Sequence, residues 1–196
     1  HRFSAIFLII MLSFPSSTFV QAFVHPGTLH TQADFDRMAQ KVAANASPWI
    51  DGYNNLLRSN LVSLSYQPTP VPWLNRGKQN CTGDNSNRLY NDVAAAYQMA
   101  LIWKITGNTS YADVVVKIMN AWSSTLTQLG CGSGPSWDYG LMAGTQGYQF
   151  AVAGEIMRNY SGLSAANFTA FQNMMMNAFY DVTGYQMWYQ GMSQYA

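Results

Sequence analysis

The sequence predicts an all-α fold built from helical hairpins. Apolar side chains recur every three or four residues in successive segments, which is the period of an amphipathic helix. No segment shows the sustained two-residue alternation of a β-strand between hairpin turns. The links between the longest segments are short, as at residues 106–109, so we expect neighbouring helices to run antiparallel.

The first two helices are predicted from the residues that cap them. Thr31 and Asp34 form a capping-box pattern with Asp in the place of the usual Glu. Ser47 followed by Pro48 predicts an N-cap and the first helical position of a second helix. The predicted packing faces are Phe35, Met38, Ala39 and Val42 in the first helix, and Trp49, Tyr53, Leu56 and Leu57 in the second.

The next two predicted helices are the most apolar. Segment 89–105 is apolar on almost all sides, so we expect it to be buried, with Gly107 ending it. Ser110 is the predicted cap of the following helix, which Gly130 closes. Its expected packing face contains Val114, Val115, Ile118, Met119, Trp122 and Leu126.

Two further helices and one long loop complete the prediction. Segment 141–158 is rich in Ala and Gly, which permits close helix packing, and Ser164 is placed to cap the helix after it. Segment 61–88 contains three prolines spaced by two residues and is predicted to be an extended covering or functional loop.

The overall composition excludes two broad classes of protein. The chain has 196 residues, of which 48% are hydrophobic and 10% charged, so it is too apolar for a disordered chain. The formal net charge of +1 provides no basic field for nucleic acid. The length suits one domain.

Residues 1–22 resemble a secretory signal peptide in composition. Arg2 precedes an apolar run over 5–12, and 20–22 has small residues at the positions a signal peptidase needs. We therefore predict a secreted, extracellular protein with a helical domain over 23–180 and a divergent C-terminal tail over 181–196. The apolar run is shorter than the roughly 20 residues of a membrane span.

Secretion affects how the cysteines and asparagines are interpreted. Cys81 and Cys131 are the only cysteines, and an oxidising compartment favours a disulfide between them. Their spacing is not that of metal ligands, so we expect no metal. Acceptor sequences for N-glycosylation are predicted at Asn80, Asn108, Asn159 and Asn167.

Several short segments occur in a characteristic order along residues 24–180. They are HPGTLHTQADFD at 25–36, NDVAAAYQ at 91–98, WKITG at 103–107, YAD at 111–113, IMNAWS at 118–123, LMAG at 141–144, GYQF at 147–150 and EIMR at 155–158. In this order they resemble the alginate lyase-like superfamily of polysaccharide lyases.

That resemblance implies an incomplete (α/α) toroid around a groove, and cleavage of alginate or glucuronan by β-elimination without a cofactor. The partner would be an acidic polysaccharide, with no nucleic acid and no membrane after removal of the signal peptide. Family members are longer, and their main Asn-His and Tyr-Arg catalytic elements lie beyond the last helix recognisable here. The expected chain is therefore a truncated N-terminal portion of a lyase with unassigned catalytic residues, or a non-catalytic carbohydrate-binding remnant.

Candidate substrate-binding residues lie on the predicted helices and in the loop before the last long pattern. They are Asn91, Gln98, Trp137, Tyr139, Gln146 and Gln149. Amides can neutralise a uronate carboxylate, and aromatic rings can stack on sugars. The amides could instead satisfy buried backbone, and the rings could pack against their loop. His30 is expected to fix the start of the first helix rather than to act in catalysis.

Two other functions remain open from the sequence. A glycoside hydrolase on an (α/α) barrel would need two placed carboxylates, for which Asp138 and Glu155 are the candidates. A helical-repeat scaffold for proteins is the other alternative, although the chain has no regular repeat period.

Overall fold

The structure is a computed structural model that describes residues 23–77, 83–130 and 137–180, without the side chain of Trp137. The predicted signal peptide, the C-terminal tail 181–196, both cysteines and the glycosylation acceptor Asn80 lie outside these residues.

The described chain is mostly helical, which confirms the predicted all-α class. The helices are α1 (Gln32–Ala43), α2 (Trp49–Leu57), α3 (Asn87–Thr106), α4 (Thr109–Thr125), α5 (Trp137–Met142), α6 (Tyr148–Met157) and α7 (Ala165–Met174). Two π-helical segments, Ala143–Gly147 and Met175–Tyr180, follow α5 and α7. Two short strands, β1 (Trp73–Leu74) and β2 (Gln128–Leu129), form a parallel pair.

Helix α1 begins with the predicted capping box. The Thr31 side chain accepts a hydrogen bond from the Asp34 amide, and the Asp34 carboxylate accepts one from the Thr31 amide at 2.9 Å. Hydrogen bonds from the Thr31 backbone and side chain and from Arg37 lower the pKa of Asp34 to about 2. Phe35 is the residue of α1 that is fully buried.

Helix α2 differs from its prediction in two respects. Pro48, not Ser47, is the N-cap, and the Ser47 hydroxyl instead donates to Asp51 at 2.6 Å. None of the α2 residues is buried. Its apolar face, with Trp49 and Tyr53, lines an open cleft against α1 and Ile105 of α3.

Helices α3 and α4 form the centre of the core. Eight residues of α3 are buried, as predicted for a helix that is apolar nearly all round. Gly107 ends it at φ 72°, a left-handed conformation that favours glycine. Asn108, not the predicted Ser110, caps α4 by accepting from the Ser110 amide. The whole predicted packing face of α4 is buried.

The predicted helix over 141–158 begins earlier, at Trp137, and contains the π-helical segment Ala143–Gly147 between α5 and α6. The predicted cap of the last helix is confirmed, since Ser164 accepts a hydrogen bond from the Asn167 amide. Helix α6 packs against α3, while α7 packs against α4. The described helices contain none with the length and hydropathy that a membrane crossing requires.

The long loop covers the α3–α4 pair, as its prolines suggested, but it also contains β1, which was not predicted. Its side chains Leu61, Tyr66 and Val71 pack on the core. Buried Asp92 of α3 holds the loop by accepting from the Tyr66 hydroxyl at 2.7 Å and the Thr69 amide at 2.7 Å. The same carboxylate accepts from the Trp122 indole of α4 at 2.8 Å.

The contact between α6 and α7 depends on a glycine. A Cβ at Gly154 would lie 2.4 Å from the Phe171 ring, whereas a Cβ at Gly144 would meet nothing within 4 Å. We expect Gly154→Ala to lower the free energy of unfolding by about 1–3 kcal/mol, the usual effect of overpacking. The matched control Gly144→Ala should not destabilise the protein. Urea unfolding measures both, and equal effects would contradict the proposed tight packing.

Candidate functional site

The N-terminal segment 23–31 brings two histidines onto the helical core. It precedes α1 and contacts both α3 and α6 through its side chains. His25 contacts Glu155 of α6, and His30 contacts Tyr97 of α3. These side-chain pairs are 130 and 67 residues apart in sequence, so the tertiary fold creates both of them.

His30 and Tyr97 form a hydrogen-bonded imidazole–phenol pair. The His30 Nε2 and Tyr97 hydroxyl oxygen are 2.6 Å apart, and both residues are half-buried. The two rings stack with centroids 6.0 Å apart, and the His30 ring also packs against Phe35 at 5.3 Å. Phe35 is buried in the core, so this packing fixes the orientation of the imidazole.

Burial sets the protonation states of this pair. Burial lowers the pKa of His30, and the Asp34 carboxylate opposes that shift. Burial raises the pKa of Tyr97, and the nearby Tyr148 phenol adds to the effect. At neutral pH the imidazole is therefore neutral and the phenol is protonated, which are the forms that act as a base and an acid.

The cation Lys104 lies on the same side of the α1–α3 contact as the His30–Tyr97 pair. The Lys104 ammonium is 5.6 Å from the centroid of the Phe35 ring that His30 also contacts, and 4.6 Å from the Trp103 ring. Burial lowers the pKa of Lys104, and the Asp36 carboxylate opposes this shift. Lys104 follows Tyr97 by two helical turns, so it provides positive charge further along the same face of α3.

The second histidine belongs to a separate charged cluster. The His25 Nδ1 contacts one carboxylate oxygen of Glu155, and the Arg158 Nε donates to the other at 3.0 Å. The Glu155 side chain is only 8% exposed. The Arg158 guanidinium lies 4.9 Å from the centroid of the Phe168 ring. The carboxylate is therefore satisfied by two partners at the edge of the groove between α6 and α7.

Two of the predicted substrate-binding amides lie on α3. Asn91 is exposed, so its side chain is available to a ligand. Gln98 directly follows Tyr97 and is half-buried, and its buried Oε1 has no hydrogen-bond partner within the described chain. The alternative was that these amides are buried and hydrogen-bonded to backbone. Asn91 is not buried, and the carbonyl oxygen of Gln98 is not hydrogen-bonded in the described chain.

The other two amides lie near Tyr148 on the α5–α6 helix. Gln146 is half-buried, and its side-chain oxygen contacts the Thr145 hydroxyl. Gln149 is half-buried and directly follows Tyr148. Tyr148 is 52% exposed. Gln98 and Gln149 each directly follow a tyrosine in the sequence, and these two tyrosines, Tyr97 and Tyr148, interact electrostatically.

One ring of the predicted aromatic pair before α6, that of Tyr139, is not available as proposed. Tyr139 is buried, and its hydroxyl donates to Asn75 at 3.2 Å, so its ring cannot stack on a sugar. The expectation of an exposed ring was wrong because the ring fills the space beneath the β1–β2 pair. The side chain of Trp137 lies outside the described part of the structure.

The described glycosylation acceptors are all exposed, at Asn108, Asn159 and Asn167. Asn108 uses its Oδ1 to accept from the Ser110 amide, which leaves its amide nitrogen for a glycan. Glycosylation stays a prediction at each of these positions.

Neither a search for metal-binding clusters in the described chain nor a comparison with known proteins assigns a role to further residues. Within 23–77, 83–130 and 137–180, no three His, Cys, Asp or Glu side chains are grouped as a metal site would require. Comparisons with protein-family models, with curated proteins and with solved structures found no match to this chain.

Proposed function

We propose that the chain belongs to the secreted polysaccharide lyases that cleave uronic-acid polymers, of alginate or glucuronan type, by β-elimination. The observation that carries this proposal is the hydrogen bond between His30 and Tyr97. β-Elimination needs a group that takes the C5 proton and a group that protonates the departing O4. A phenol hydrogen-bonded to a neutral imidazole can supply both.

The proposed proton transfers use this one pair. In the tautomer that carries its proton on Nδ1, His30 accepts the Tyr97 proton at Nε2 while the Tyr97 oxygen takes the proton from C5. The electron pair of the C5–H bond forms the C4–C5 double bond, and the C4–O4 bond breaks. Tyr97 then protonates O4 with the proton it gained, and His30 returns the first proton to Tyr97. The protein ends in its starting state.

Binding of the uronate carboxylates is assigned to the groups around this pair. The unpaired Oε1 of Gln98 is buried, so the donor end of the amide is the part that can reach a carboxylate. Lys104 adds a positive charge on the same side of the α1–α3 contact, which attracts a polyanion. Asn91 and Tyr148 are exposed, so we assign them to the same binding surface.

The proposal extends to the architecture of the chain and to its location outside the cell. The packing of α1 on α2 and of α3 on α4 is compatible with an incomplete (α/α) toroid, which we propose as the architecture. We also propose secretion, with glycans and a Cys81–Cys131 disulfide. The residues next to the two cysteines in the described chain come close to each other at β1. Gly130, which precedes Cys131, donates its amide to the Leu74 carbonyl, and Asn75 donates its side-chain amide to the carbonyl of Gly83, two residues after Cys81.

A non-catalytic carbohydrate-binding protein of the same fold is the second candidate function. It is favoured by the positions of Lys104 and Gln98 on α3, the helix that carries Tyr97. These groups can bind an acidic polymer whether or not a proton is transferred. This candidate predicts binding without product.

A hydrolase that uses Asp138 and Glu155 is not compatible with the geometry. The two residues are 17 positions apart on one continuous helical stretch, or roughly 25 Å at 1.5 Å per residue. Paired hydrolase carboxylates lie about 5–10 Å apart. Asp138 instead lies 3.6 Å from Arg76, far from the Glu155 cluster.

The deciding experiment incubates the full chain with alginate and with glucuronan. The proposal expects the absorbance of the unsaturated uronate to rise with time in at least one of them. Binding without this absorbance would favour the carbohydrate-binding candidate. New reducing ends without the absorbance would show hydrolysis and overturn the proposal.

A further inference from the structure

The groove between α6 and α7 is a second concave site, separate from the His30–Tyr97 pair. Its volume is about 300 Å³, at the lower end for small-ligand sites. The walls are mainly apolar, with Phe168, Phe171 and Met175 on the α7 side. Arg158 lies at the rim, where its side chain is 32% exposed.

The rim of this groove retains hydrogen-bond donors that no group of the described chain uses. An arginine guanidinium has five N–H donors, and only the Nε of Arg158 is used by Glu155. The Glu155 carboxylate, which also lines the groove, contacts His25 through its other oxygen. Phe168 holds the guanidinium plane from one side. The remaining fork of Arg158 donors is therefore oriented and free to bind a carboxylate bidentately.

The apolar walls of the groove determine what kind of molecule the bound carboxylate belongs to. Hydroxyl groups placed against Phe168, Phe171 and Met175 would lose their hydrogen bonds to water without replacement. An apolar body would instead bury its surface there. We propose that the α6–α7 groove binds a small carboxylate with an apolar body, such as an arylalkyl acid, through Arg158.

This site is independent of the proposed elimination, because no group of the Tyr97 pair lines it. Binding of 4-phenylbutyrate to the full chain, measured by calorimetry, tests it. We expect 4-phenylbutanamide, which lacks the charge, to bind about tenfold more weakly or worse, as a lost charge-assisted hydrogen bond implies. Glucuronate, which has the charge without the apolar body, should not bind here.

The variant Arg158→Gln should weaken 4-phenylbutyrate binding by about tenfold and leave 4-phenylbutanamide binding unchanged. Arg158→Lys keeps the charge but not the fork, so its affinity should lie between the two. If Arg158→Gln does not fold, Ala151→Leu, which places a larger side chain on the exposed wall of the groove, should weaken binding of both probes. Equal 4-phenylbutyrate affinity in Arg158→Gln, or Arg158-dependent binding of glucuronate, overturns the proposal.

Discussion

Replacing Tyr97 by phenylalanine is expected to reduce β-elimination by about 10²- to 10⁴-fold, the usual contribution of a positioned acid–base group. The ring stays in place, since phenylalanine keeps its packing against His30, but the oxygen that exchanges both protons is lost. The rate of formation of unsaturated uronate under saturating polymer measures the effect. Polymer affinity should change little.

Two companion variants sharpen this test. His30→Ala should cause a comparable loss, and the double variant should be little worse than either single one, because the two residues act as a unit. Tyr53→Phe is the matched control, since this half-buried tyrosine lies in the separate α1–α2 cleft. A Tyr97→Phe enzyme with unchanged rate would rule out the proposed proton transfers.

The pH profile provides an independent check of the same pair. The active form has a neutral His30, so activity should fall as the pH drops through the His30 pKa. Because burial lowers that pKa below its ordinary value of about 6.5, the acid limb of the profile should lie below this value. An acid limb above it would contradict the assignment of His30 as the acceptor of the Tyr97 proton.

Replacing Asp92 by alanine is expected to lower the free energy of unfolding by about 3–5 kcal/mol. The change leaves the buried Trp122 indole N–H without an acceptor, at about 1–3 kcal/mol, removes the hydrogen bond from the amide of exposed Thr69, at about 1 kcal/mol, and adds a cavity. It also releases Tyr66 and with it the covering loop. Urea unfolding followed by tryptophan fluorescence measures the loss.

Two controls separate the network from the general effect of removing a carboxylate. Tyr66→Phe deletes one hydrogen bond to Asp92 and should cost only about 1 kcal/mol. Asp36→Ala removes an exposed carboxylate of α1 and should change stability by less than about 0.5 kcal/mol. If Asp92→Ala were no worse than Asp36→Ala, the loop would have to be held by its apolar contacts alone.

The local features of the helices could be predicted because their causes are local. The Thr31–Asp34 capping box, the Gly107 helix end and the packing face of α4 each depend on residues within one or two turns. The π-helical segment Ala143–Gly147 could not be predicted, because its glycines and small residues allow several helical forms. Packing against the neighbouring helices selects among them.

The candidate site was only partly predictable. Gln98 and Gln149 were identified from residue type and periodicity, and they adjoin the two tyrosines of the site. His30 was assigned to the start of α1, and Tyr97 was included in the segment 91–98 without a functional role of its own. Nothing in the local sequence relates them, because the hydrogen bond joins residues 67 positions apart.

The sequence by itself determined the all-α class, the helix ends at Thr31, Gly107 and Ser164, and the apolar faces of α3 and α4, since these follow from period, capping and composition. Only the tertiary structure decided which polar groups meet. It placed His30 on Tyr97, His25 on Glu155 and Tyr66 on Asp92, and it buried the Tyr139 ring that residue type alone had suggested for sugar stacking. The physical reason is that burial and long-range contacts depend on how whole helices pack, which no short stretch of chain specifies.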